Sequence, residues 1–112
     1  MINSVNITNN IKIGNNSRFA FLAGPCAIES EEMTMEVAYE LKNICTRLEI
    51  PFIFKSSFDK ANRTSVTSPR GIGIEKGLQI LQRVKSELDV PIITDVHESW
   101  QCPIVAEIAV AI

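Results

Sequence analysis

The stretch PFIFKSSFDKANRTS, residues 51–65, runs from an apolar segment straight into a polar loop that carries two lysines, an arginine and five hydroxyl or amide side chains. The apolar part reads as a strand covered on both faces, the kind found in parallel sheets flanked by helices. Lys55 closes it, and the other cations follow at its C-terminal end. The chain as a whole has a formal net charge of -2. A local excess of positive charge in a weakly acidic chain suits a small anion rather than a nucleic acid or a membrane surface, both of which call for an overall basic balance.

The same unit recurs on either side. RFAFLAG (18–24) is an apolar strand ending at Gly24 and Pro25, and SEEMTMEVAYELKNICTRL (30–48) follows as a helix with Val37, Leu41, Ile44 and Leu48 at helical spacing. Ser30 is its candidate N-cap, and Glu31 and Glu32 lie where the helix dipole favours anions. After the loop at 57–73, GIEKGLQILQRVKSEL (73–88) sets Ile74, Leu78, Leu81, Val84 and Leu88 on one face. VPIITDV (90–96) is a third strand, ESWQCPIVAEIA (98–109) carries a third helix with Pro103 in its first turn, and AVAI (109–112) begins a fourth strand. Ahead of all this, residues 5–8 and 10–13 form a small hairpin turning at Asn9 and Asn10.

Alternating strands and helices give an α/β fold with a parallel sheet. Polar residues cluster after each strand: GPCAIES (24–30), KSSFDKANRTS (55–65) and TDVHES (94–99). A site built from successive strand ends is the pattern of a (β/α)8 TIM barrel, whereas a doubly wound sheet concentrates binding at one switch point, often with a glycine-rich turn. Neither GxGxxG nor GxxxxGK occurs. The expected organisation is therefore a β-hairpin at 1–17, then at 18–112 the first three βα units and the start of the fourth strand of a barrel. A complete barrel takes about 250 residues, so the chain reads as truncated, with an unpaired edge that makes it poorly stable or self-associating.

With 46% hydrophobic and 21% charged residues the composition is that of one globular domain. No signal-peptide core and no stretch of transmembrane length is visible. The cysteines Cys26, Cys45 and Cys102 form neither an even set nor a CxxC pair, which suits a reducing cytoplasm.

Lys55, Lys60, Asn62, Arg63 and Thr64 are the candidate anion ligands, lysine acting as a point charge and arginine through paired hydrogen bonds. Two anionic groups suit them better than one; the plainer alternative is a solvated loop pairing with Asp59 and Glu75. Cys26 sits where a thiolate can bind metal or act as a nucleophile, or it is a small buried hydrophobe. Cys45 and Cys102 read as the latter. Asp95 and His97 share a face of an extended segment and can be acid, base, ligand or orienting pair, or hydrogen-bonded structure.

GPCAIES, FKSSFDKANRTS, RGIGIEKGLQIL and IITDVHE together closely resemble the N-terminal part of the 3-deoxy-D-manno-octulosonate 8-phosphate synthases, or 2-dehydro-3-deoxyphosphooctonate aldolases. SFDKANR (57–63) is the most specific segment; GPC is shared with the 3-deoxy-D-arabino-heptulosonate 7-phosphate synthases, the alternative family. The resemblance implies condensation of phosphoenolpyruvate with D-arabinose 5-phosphate in Kdo and lipopolysaccharide biosynthesis, on a (β/α)8 barrel that is usually a homotetramer in the cytoplasm. It implies that Lys55 and Lys60 hold phosphoenolpyruvate, and that Asn62, Arg63 and Thr64 contact arabinose 5-phosphate, Thr64 standing where serine is common. Asp95 and His97 would line the reacting centre. Cys26 marks the metal-dependent type, using a divalent ion such as Mn2+, Fe2+, Co2+ or Zn2+, whose other ligands are expected beyond residue 112. The 112 residues alone are expected to be inactive, and a noncatalytic remnant of a truncated gene is the rival of another class.

Overall fold

The computed structural model describes residues 3–59 and 72–111. Strands β1 (Ser4–Asn6) and β2 (Lys12–Gly14) pair antiparallel, with Val5 opposite Ile13. The turn between them is wider than the expected Asn9–Asn10 reversal. Thr8 Oγ1 accepts from the backbone N–H groups of Asn10 and Ile11 at 3.1 and 3.0 Å, and Ile7 N–H donates to the Ile11 carbonyl. A threonine hydroxyl that satisfies its own neighbours competes with the strand ladder, so residues 7–11 leave it.

Strands β3 (Phe21–Ala23), β4 (Phe52–Lys55) and β5 (Ile92–Ile93) form a parallel sheet in chain order. Helix α1 (Glu31–Leu48) connects the first two and α2 (Ile74–Leu88) the second two. A turn of 3-10 helix at Ser99–Gln101 leads into α3 (Cys102–Ala106), with Pro103 in its first turn, where a missing N–H costs nothing. The chain then returns to the sheet: Ile93 bridges Ala111 in parallel and Val110 N–H donates to the Ile92 carbonyl. The described residues thus hold, in chain order, an antiparallel hairpin, three parallel strands each followed by a helix, and a parallel bridge at Ala111.

Phe54, Ile92, Leu81, Val84 and Ala38 lie at the centre of the core, each fully buried. On α2 the expected stripe packs as read, with Leu78, Leu81 and Val84 buried. On α1 it does not. The buried residues are Thr34, Ala38 and Cys45, while Ile44 and Leu48 are 39% and 58% exposed. Small side chains let α1 lie close to the sheet, and Thr34 can be buried because its hydroxyl donates to the Ser30 carbonyl at 2.7 Å. Ile44 and Leu48 are displaced to the flank. The N-cap is as expected, with Ser30 Oγ accepting from Met33 N–H.

β3 also departs from expectation. It is not covered on both faces: Phe21 and Leu22 are 42% and 40% exposed. Within the described sheet β4 adjoins it on one side only, so its other side and much of its surface stay open.

A repeated device ties the units together at the N-terminal end of the sheet. Arg18, just before β3, donates to the Glu49 carbonyl at the end of α1. Lys42 of α1 donates to the Leu88 carbonyl at the end of α2, and Lys85 of α2 donates to the Ile108 carbonyl beyond α3 at 3.1 Å. Each cation serves the unpaired, partly negative carbonyl end of the next helix. A cavity of about 380 Å³, lined by Ile11, Lys42, Phe52 and Lys85 among others, lies at this same end, away from the polar strand ends.

Candidate active site

Because β3, β4 and β5 are parallel, their C-terminal ends share one edge of the sheet. Cys26, Lys55, Asp95 and His97 all lie there. Ladder pairing stops at Ala23 opposite Phe54 and at Lys55 opposite Ile93. Beyond it the backbones resume at a bridge between Ala27 and Ser57. Gly24, Pro25 and Cys26 therefore stand opposite Lys55 and Ser56 alone, which is a one-residue bulge. The residues explain it. Pro25 has no N–H to donate, and at Gly24 the two chains approach so closely that a Cβ would lie 1.9 Å from the Lys55 carbonyl oxygen. The bulge leaves Cys26 exposed and unbridged.

Hydroxyls lace this edge together. Ser56 Oγ donates to the Pro25 carbonyl at 2.6 Å, and Thr94 Oγ1 donates to the Ser56 carbonyl at 2.7 Å. Backbone bonds add to it, from Ser57 N–H to the Cys26 carbonyl and from Ile28 N–H to the Ser57 carbonyl. Ser56, Ser57 and Thr94 are buried. Each lacing contact abuts a candidate residue: Pro25 precedes Cys26, Ser56 follows Lys55 and Thr94 precedes Asp95. None of these hydroxyls was singled out from sequence, although small hydroxyl residues at the end of apolar strands were the available signal.

Lys55 is exposed at the end of β4. His97 Nε2 lies 3.9 Å from Asp95 Oδ2, and its ring meets Phe58 edge-on at a centroid distance of 6.2 Å. The His97 and Glu98 N–H groups both donate to Gln101 Oε1, at 2.8 and 3.1 Å, so the segment carrying the imidazole is held by the start of the next helix. Asp95 Oδ1 and Ser57 Oγ are buried with no hydrogen-bond partner among the described residues, an unmet polar demand on adjacent strand ends. Phe58 itself is packed against Gly77, where a Cβ would lie 2.4 Å away, and its carbonyl accepts from Gly73 N–H at 2.9 Å. Phe58 thus links Gly73, by its carbonyl, to His97, by its ring. Lys60, Asn62, Arg63 and Thr64 lie outside the described residues.

Of the three cysteines, Cys45 is buried, and burial pushes its thiol up, which keeps it protonated and a poor ligand. Cys26 is the accessible one at the strand ends, and a soft thiolate suits a divalent transition metal. It fits such an ion as one donor. Among the described residues no group of three His, Cys, Asp or Glu converges on a common point. Among them, too, no helix is long and apolar enough to cross a membrane.

The model of the DAHP synthetase I family matches residues 3–112. Proteins named 2-dehydro-3-deoxyphosphooctonate aldolase are similar to the chain: that of Rickettsia felis is 60% identical over 101 residues, that of a Cyanothece species 53% over 104, and that of Fusobacterium nucleatum 52% over 110. These alignments cover 90%, 93% and 94% of this chain but 37%, 38% and 40% of the relatives. The chain spans well under half the length of the curated relatives it matches.

Proposed function

The chain belongs to the DAHP synthetase I family, and on that premise we propose that it is the N-terminal part of a metal-dependent (β/α)8-barrel synthase that condenses phosphoenolpyruvate with D-arabinose 5-phosphate. The product would be 3-deoxy-D-manno-octulosonate 8-phosphate, made in the cytoplasm for Kdo and lipopolysaccharide biosynthesis by a homotetramer. One observation carries this reading: Cys26, Lys55, Asp95 and His97 meet on the C-terminal edge of three parallel strands, where barrel enzymes hold their catalytic groups. The names of the relatives and the resemblance carried by the segment SFDKANR support this choice of substrates.

In this reaction C3 of phosphoenolpyruvate bonds to the aldehyde carbon, whose oxygen takes up a proton. Water adds at C2, and phosphate leaves by C–O cleavage to give the ketone. Lys55 and Lys60 balance the carboxylate and phosphate of phosphoenolpyruvate, and Asn62, Arg63 and Thr64 take the sugar phosphate. His97, whose ring meets Phe58 and whose backbone N–H donates to Gln101, would orient a hydroxyl or move a proton at the aldehyde oxygen, with Asp95 beside it. Cys26 would supply one sulfur donor to a divalent ion, whose chemistry when bound would be to orient water or polarise the aldehyde oxygen.

Carbon counting separates this from the alternative family. An eight-carbon product needs a five-carbon aldose phosphate, and a seven-carbon product needs a four-carbon one. The protein produced from its own gene should release inorganic phosphate from phosphoenolpyruvate when arabinose 5-phosphate is supplied, and should do so far more slowly with erythrose 4-phosphate. Activity should disappear with chelator and return with Mn2+. Release with the four-carbon sugar alone would assign the heptulosonate reaction, and release with neither would mark a noncatalytic remnant.

A further inference from the structure

We propose that Ser56 is a positioning residue for Cys26. Its hydroxyl clamps the bulge at residues 24–26 and so determines where the thiol stands relative to Lys55 and Asp95. The inference rests on the reading of Cys26 as a metal donor, but what carries it is the bonding around the bulge. A bulge breaks the regular ladder and leaves backbone carbonyls in need of new donors. The two carbonyls that flank the Cys26 peptide unit are both taken by the extension of β4: Pro25 O by Ser56 Oγ at 2.6 Å, and Cys26 O by Ser57 N–H at 3.3 Å. The second bond is available to any residue but proline at position 57. The first requires a hydroxyl at position 56.

Ser56 is fully buried, in a strand segment flanked by Phe54 and Phe58, also buried. A hydroxyl in such a place is costly unless bonded, and its bond runs to the residue just before Cys26. Ser56 is in turn held from the other side, since Thr94 Oγ1 donates to its carbonyl at 2.7 Å and Thr94 precedes Asp95. Ser56 therefore sits at the middle of a chain from β5 to the bulge. Lys55 adjoins it covalently. Loss of the clamp frees the Pro25–Cys26 peptide to rotate while leaving the ladder intact, so it should loosen the thiol without unfolding the sheet. Groups that orient a metal ligand from behind in this way commonly change metal affinity by about 10–100-fold when removed.

The test uses the protein produced from its own gene, stripped of metal and titrated with Co2+ alone, reading the near-ultraviolet absorption of a thiolate bound to cobalt. Cys26→Ser should abolish that absorption. Ser56→Ala should keep it but weaken Co2+ binding by about 10-fold, with far-UV circular dichroism unchanged. Thr94→Val, which frees the Ser56 carbonyl, should weaken binding less, and Thr94→Ser, which keeps the hydroxyl, should bind as the parent does. If Cys26→Ser abolishes the absorption while Ser56→Ala and Thr94→Val bind Co2+ like the parent, the positioning role is overturned and the donor reading stands. If Cys26→Ser keeps the absorption, the donor reading fails and the clamp has no ligand to position. Should Ser56→Ala not fold, the Thr94→Val and Thr94→Ser pair decides alone, equal affinity in the two overturning the proposal.

Discussion

At Gly24 the extension of β3 passes the Lys55 carbonyl with no room for a side chain, since a Cβ would lie 1.9 Å from that oxygen. The obstacle is backbone, not the end of a flexible side chain, so it cannot step aside. Gly24→Ala should therefore destabilise the protein by about 1–3 kcal/mol, the range of an overpacked site, seen as a lower urea midpoint with an unchanged slope. An unaltered midpoint would mean that the close approach is not kept in solution. The same residue shows why GPC is a structural unit: glycine permits the approach, proline ends the ladder, and the cysteine is delivered to the edge.

Two helix ends show how the elements are stitched together. Glu49 and Asp89 close α1 and α2 in the left-handed conformation, with φ of 57° and 52°, although neither is glycine. At the first of these ends Ile50 N–H donates back to the Cys45 carbonyl, the bond of a Schellman cap. Left-handed backbone costs a residue with a Cβ roughly 1–2 kcal/mol, so Glu49→Gly should raise stability by about 1 kcal/mol in a denaturant titration. Failure to gain would mean that the Glu49 side chain contributes something the cap does not reveal. In the opposite direction, Lys85→Met removes the cation on the Ile108 carbonyl and should cost about 0.3–1 kcal/mol, less at high salt. A loss that salt does not change would assign the contact to packing of the lysine stem.

Over the whole molecule the sheet is open where β3 has no second neighbour among the described strands, and Phe19, Phe21 and Leu22 stand 67%, 42% and 40% exposed beside it. An apolar strand with an unpaired edge is a template for another chain. Residues 1–112 prepared alone should accordingly sediment as a concentration-dependent mixture, shifting toward monomer at low concentration. A single monomeric species across the range would show that this face is tolerated in water. The strand order, the crossovers and the gathering of polar residues on one edge were all legible beforehand, because apolar runs, helical spacing and polar strand ends are local patterns. Cys26, Lys55, Asp95 and His97 came out on one edge for that reason.

The sequence by itself determined the order of the elements, the parallel α/β arrangement, the N-cap at Ser30 and the gathering of polar residues after the strands, since each of these depends on residue type and spacing over a few turns or a single strand. Only the tertiary structure decided the rest. Whether Ile44 and Leu48 or the smaller Thr34, Ala38 and Cys45 would face the sheet depended on how close α1 could approach it. Whether β3 would be covered depended on its neighbours and not on its own apolarity. The bulge, the hydroxyl lacing by Ser56 and Thr94 and the cation-capped helix ends join residues 23 to 46 positions apart. Contacts of that kind leave no periodic trace in the chain, because they are satisfied by single donors and acceptors that meet only once the strands have been brought side by side.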